Sequence, residues 1–134
     1  MSVRRVAMPA LWTLVATASM SGLAASPVVM IDWDTRGAFE RRVAVAPGKF
    51  AELCGALRTG DSVRWTFETG EPLDFNIHYH DNNDVRMPAQ AHATRGANGV
   101  LDVVVNQDYC WMWSNNTPTQ IDVDVKLSRG ARAR

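Results

Sequence analysis

In several runs beyond residue 62, apolar side chains fall on every second position, the period of an extended strand with one covered face. Over residues 62–68, Val63, Trp65 and Phe67 alternate with Arg64, Thr66 and Glu68. Over 73–80, Leu73, Phe75, Ile77 and Tyr79 alternate with Asp74, Asn76, His78 and His80. The cleanest run is 120–127, with Ile121, Val123, Val125 and Leu127 on one side and Asp122, Asp124 and Lys126 on the other. Residues 28–33, 41–46, 100–105 and 109–114 read as further strands. Residues 50–57 fit either a helical turn or a strand. Turn residues separate these runs: Gly37, Pro47-Gly48, Gly60-Asp61, Gly70-Glu71-Pro72 and Asp81-Asn82-Asn83-Asp84. Residues 88–99, rich in Ala, Gly and polar side chains, read as a loop. The pattern predicts an all-β protein, an antiparallel β-sandwich of the jelly-roll kind with seven or eight short strands. Its expected core is Trp65, Phe67, Phe75, Ile77, Trp111, Trp113, Ile121, Val123 and Val125.

The first residues break this pattern. Arg4 and Arg5 precede a stretch, residues 6–24, without a single charge, which ends in Gly22-Leu23-Ala24-Ala25. That order of basic, apolar and small residues predicts a secretory signal over residues 1–25, cleaved on export. A domain over 26–128 and a flexible basic tail over 129–134 would follow. Without Arg4 and Arg5, twelve basic residues face fourteen acidic ones, a net charge of −2. A mildly acidic chain with no basic stripe is a poor nucleic-acid partner, since phosphate binding needs clustered Lys and Arg. No stable membrane span is expected after cleavage. The destination is periplasmic or secreted, and an even cysteine count there favours one disulfide between Cys54 and Cys110.

Three stretches, SVRWTFET, LDFNIHYHDNNDV and DYCWMWSNNTPTQIDVDVKL, together resemble the GOLD domain, the β-sandwich of p24 cargo proteins and certain lipid-transfer proteins. Tyr109, Trp111, Trp113 and Asn115 fit that family's aromatic strand, and 121–127 its final strand. The resemblance implies a GOLD-like sandwich used as a stand-alone, non-catalytic binding or accessory module with a protein or small-ligand partner. The p24 group also carries a cysteine pair that Cys54 and Cys110 resemble.

Two constellations carry chemistry. His78 and His80 share one face of a strand, and with Met112 on a neighbouring strand they form a candidate metal site suited to copper. His92, Met87 and an unbridged Cys110 are further candidates for its third ligand. The second is a binding surface on the loops 81–99 and 114–119, with Asp81, Asn82, Asn83, His92 and Asn116 as its polar groups. No Gly-x-Ser-x-Gly motif, phosphate loop or protease-like cysteine is present, so no enzyme is expected.

Overall fold

The computed structural model describes residues 28–131, and every regular element among them is a strand. The expected signal lies outside the described residues. In chain order the strands are β1 (Val28–Met30), β2 (Ala38–Val45), β3 (Phe50–Leu57), β4 (Asp61–Asp81), β5 (Asp84–Asp102), β6 (Gln107–Ser114) and β7 (Ile121–Ala131). They form one sheet in the order β1-β3-β6-β4-β7-β2, with β5 on the other side of β4. All pairings are antiparallel except β1 with β3.

The continuity of β4 corrects the two-sheet sandwich. The two runs expected to be separate strands, 62–68 and 73–80, are one strand of 21 residues. Its first half, Asp61 to Thr69, pairs with β7, and its second half, Asp74 to His78, pairs with β6. Between them Gly70, Glu71 and Pro72 bulge out of register with β5. Proline has no N–H for a ladder, so an unpaired bulge is where a strand tolerates it. At this corner the strand folds back on itself. Phe67 and Phe75 would stand about 26 Å apart on straight strand, yet their ring centroids are 4.6 Å apart. The result is a single curled sheet, a half-barrel, with the core on its concave side.

Residues 88–99 belong to β5, a 19-residue edge strand, where a loop was expected. Its composition misled because a strand exposed on most sides needs no apolar alternation: most of its residues are exposed. Gly99 sits where a Cβ would fall 2.7 Å from the Trp65 ring, so this glycine serves close packing in a strand. Arg129 to Ala131 likewise continue β7, paired with Val63 to Asp61, where a tail was expected. The Arg129 guanidinium lies 5.0 Å from the Trp33 ring centroid.

The odd-numbered residues of β4, β6 and β7 face inward. Phe67, Ile77, Trp111, Trp113 and Val123 are buried at 0–1% exposure. Trp65, Phe67, Phe75 and Trp113 form one aromatic cluster across the corner, with centroids 4.6–6.4 Å apart. Opposite parity puts Cys54 and Cys110 on the outer face, where they stand in direct register and form the disulfide.

Two connections cross the corner beside β4: residues 46–49 between β2 and β3, and 115–120 between β6 and β7. Asn115 ties them together. Its side-chain amide donates to the carbonyls of Val45 (3.0 Å) and Thr119 (2.7 Å), and its Oδ1 accepts from Thr117 N and Oγ1. Its backbone N–H donates to Lys49 O. Asn115 is 1% exposed, so Asn115-Asn116-Thr117 is a corner lock in the folded chain and no open glycosylation site.

Two outcomes are expected. Asn115→Ala removes four hydrogen bonds made by a buried side chain and should destabilise the fold by about 2–4 kcal/mol, read as a lower urea midpoint at unchanged m-value. Denatured, unreduced protein should show no titratable thiol.

Candidate functional site

The polar groups expected to form one binding surface divide between two ends of the second half of β4. The hairpin tip carries Asp81, Asn82, Asn83 and Asp84, with Asn82 at φ 56° as a two-residue turn between paired Asp81 and Asp84 requires. Arg86 lies against both carboxylates, 3.9 Å from Asp81 and 3.3 Å from Asp84. Asp74 is seven residues back, roughly 23 Å away by strand rise, and gathers the others. Its Oδ1 accepts the Ala93 N–H at 3.0 Å and stands 3.6 Å from His92 Nδ1. Its Oδ2 accepts from Asn116 Nδ2 at 3.1 Å. The sequence singles out His92 and Asn116, whereas Asp74, beside Glu71 and near His78 in the chain, reads there as one more carboxylate on a solvated strand.

What brings His92 there is a bulge. Leu73 pairs with Thr94 and Phe75 with Ala91, so β5 carries one extra residue at 92–93. Ala93 takes φ 47°, a left-handed conformation that costs an L-residue about 1–2 kcal/mol. Asp74 holds it there. Strain of this kind persists where the surroundings impose it, and often where a surface is used. His92 is widely exposed. The corner therefore presents an amide that donates to Asp74 and an exposed imidazole 3.6 Å from the same carboxylate.

On the outer face of β3, β6 and β4, residues stand in cross-strand rows. One row is Cys54, Cys110 and His78; the next is Glu52, Met112 and Asn76. His80 lies one step beyond His78 in the opposite direction from Met112. Its ring meets that of His78 edge-on at 5.5 Å. His80 and Met112 are thus roughly 13 Å apart by strand rise, and the three residues expected to share copper do not converge. Met87 is exposed on β5 and His92 is at the corner, so neither completes that set. Nothing here supports copper.

His78 does have close neighbours. Its side chain is 8% exposed, Nδ1 lies 2.8 Å from Asn76 Oδ1, and Nε2 lies 3.8 Å from Glu52 Oε1. Desolvation pushes the imidazole below its ordinary pKa, against the pull of the Glu52 charge. Cys54 Sγ is 3.9 Å from Glu52 Oε2, a contact and not a hydrogen bond, because a disulfide sulfur carries no proton.

A third feature was not expected. Arg36, Arg58 and Arg129, with Gly37, Ala56 and Asp61, line an open cleft of about 620 Å³ at the far end of the sheet. No helix among the described residues is long and apolar enough to cross a membrane.

These features define a curled all-β sheet with polar corners and open clefts. No family model matches the chain, and no curated protein matches it in sequence. Solved structures do. The fold is similar to that of Aeromonas hydrophila PliG, a periplasmic lysozyme inhibitor of g-type lysozyme, with a TM-score of 0.57 at 9% identity over 77% of this chain and 96% of that one. Salmonella Typhimurium PliG, described in the same words, matches with a TM-score of 0.55 at 10% identity over 77% of this chain and 97% of that one. This overturns the GOLD resemblance. The aromatic strand pattern that suggested it is a half-barrel core, and period-two spacing alone does not distinguish the two folds.

Relaxing the bulge gives a test of its strain. Ala93→Gly should raise stability by about 0.5–1 kcal/mol, the left-handed penalty less the entropy of the new glycine. Thermal or urea denaturation reads it; unchanged or lowered stability would mean that the bulge holds no such strain.

Proposed function

We propose that this chain is an extracytoplasmic, non-catalytic inhibitor of g-type lysozyme. The observation that carries the reading is coverage: nearly the whole of each PliG chain, 96% and 97%, superimposes on this one. An inhibitor fold matched over nearly its whole length leaves little of the inhibitor without a counterpart here. The disulfide and the signal-like first residues agree with an exported protein.

The surface we assign to the partner is the corner of His92, Ala93 and Asn116. Glycoside hydrolases work through a pair of carboxylates in a cleft. An imidazole and an amide on a strained projection are hydrogen-bond donors suited to such a cleft, and the pre-set backbone geometry at Ala93 lowers the entropy lost on binding.

Lytic assays with purified g-type and c-type lysozymes test this. The protein should inhibit the g-type enzyme and leave the c-type enzyme active. A His92→Ala, Asn116→Ala double variant should raise the inhibition constant at least about tenfold. An Asn82→Ala, Asn83→Ala variant should not change it. Failure to inhibit any g-type lysozyme would overturn the reading; inhibition that moves only with the hairpin tip would relocate the surface.

A further inference from the structure

The outer face of β3, β6 and β4 holds a group of polar atoms that the inhibitor reading does not use. With His78 Nδ1 donating to the Asn76 carbonyl oxygen, a neutral ring leaves Nε2 with a bare lone pair. That lone pair lies 3.8 Å from a Glu52 oxygen. The Glu52 side chain is 16% exposed, and in that neutral tautomer its near neighbours, His78 Nε2 and the disulfide sulfur of Cys54, have no proton to give it. Two acceptors thus face each other in a poorly hydrated place, where polar groups without partners are costly. One donor atom from each of Glu52, His78 and Cys110 lies within 4.8 Å of the others. Cys54 stands directly opposite Cys110, with Cα atoms 4.1 Å apart.

Such an arrangement is what a cation resolves. Bonds of about 2.0–2.3 Å to nitrogen, oxygen and sulfur put tetrahedral donors roughly 3.3–3.8 Å apart. The His78–Glu52 separation is already at the end of that range. Asn76 fixes the ring from behind, the role a hydrogen-bonded amide or carbonyl takes behind a ligating histidine.

We propose that the Cys54–Cys110 disulfide and a tetrahedral site for a thiophilic divalent cation, of the zinc class, are two alternative states of this face. A dithiol reductant opens the bridge: two electrons and two protons pass to the cysteines, and the reductant leaves as its own disulfide. The cation then displaces both thiol protons to solvent. It binds Cys54 Sγ, Cys110 Sγ, His78 Nε2 and one Glu52 oxygen. Thiol–disulfide exchange with an oxidant disulfide re-forms the S–S bond: the two electrons pass to that disulfide, which takes two protons from solvent and leaves as a dithiol, and the cation is released. This differs from a site of His78, His80 and Met112: the sulfur ligands come from the cysteines, and His80 is not a ligand. It is also independent of the lysozyme reading.

The test uses Co(II) as a spectroscopic stand-in and Zn(II) as competitor, on the mature protein reduced with a phosphine under anaerobic conditions. The reduced protein should take up one equivalent of Co(II), with intense tetrahedral visible absorption and a thiolate charge-transfer band, both bleached by Zn(II). The oxidised protein should show neither. His78→Gln and Glu52→Gln should each weaken Zn(II) binding at least about tenfold, while His80→Gln should not. If the reduced protein loses its strand signal in circular dichroism, Zn(II) should restore it in the wild type and not in His78→Gln. No tetrahedral spectrum, or thiolate binding indifferent to both His78→Gln and Glu52→Gln, would overturn the proposal, since unfolded cysteines bind cations without those neighbours.

Discussion

The sharp fold of β4 onto itself at residues 69–73 is the constraint on which the rest of the molecule depends. A flat sheet of these seven strands would leave its apolar face open to water. Bending β4 and its partner β5 at one place brings the inward residues of both halves together. The four rings of Trp65, Phe67, Phe75 and Trp113 then bury against one another. Each aromatic ring removes roughly 150–250 Å² from water, which outweighs the broken ladder at Gly70, Glu71 and Pro72. The indole N–H groups of Trp111 and Trp113 find no acceptor among the described residues. Desolvating such a donor costs about 1–3 kcal/mol, a further sign that apolar burial dominates this core.

The corner also explains why one asparagine matters beyond its size. β4 and β5 run through the bend as unbroken chain, whereas β2–β3 and β6–β7 cross it by short connections. Backbone carbonyls in such connections have lost their ladder partners and are partly shut off from water. Asn115 supplies the missing donors to Val45 and Thr119 and the acceptor for Thr117. A hydrophobic residue of equal volume would fill the space and leave those groups without partners. The same corner carries the Asp74-held bulge at Ala93, so a strained backbone residue lies beside an exposed imidazole.

How much of this could be read from sequence follows from what each strand buries. β4, β6 and β7 cover one face and wet the other, so their inward residues were legible down to Ile77 and Val123. β5 buries little beyond Leu101, and its Ala- and Gly-rich middle carries no period. It therefore looked like a loop. The turn at Gly70-Glu71-Pro72 was visible as chain-breaking residues, but a bulge within a strand and a turn between strands use the same chemistry. That ambiguity separates a half-barrel from a two-sheet sandwich. Asp74 was hidden for a related reason: its role depends on the bulge in β5 and on Asn116, both distant in sequence.

A resemblance of fold at 9–10% identity places the burden of function on the residues the fold leaves free. Period-two patterning is satisfied by many choices of Val, Ile, Phe and Trp, so core positions can diverge widely while the half-barrel survives. The outward and corner residues are under no such packing rule. In this chain the outer face holds a buried histidine and a half-buried carboxylate beside a disulfide, and the corner holds a strained alanine beside an exposed imidazole. Neither arrangement is what folding alone favours, since one buries polar atoms without donors and the other forces a left-handed L-residue. Departures from the cheapest solution at two separate places, in a sheet whose remaining pattern is so regular, are what packing alone does not account for.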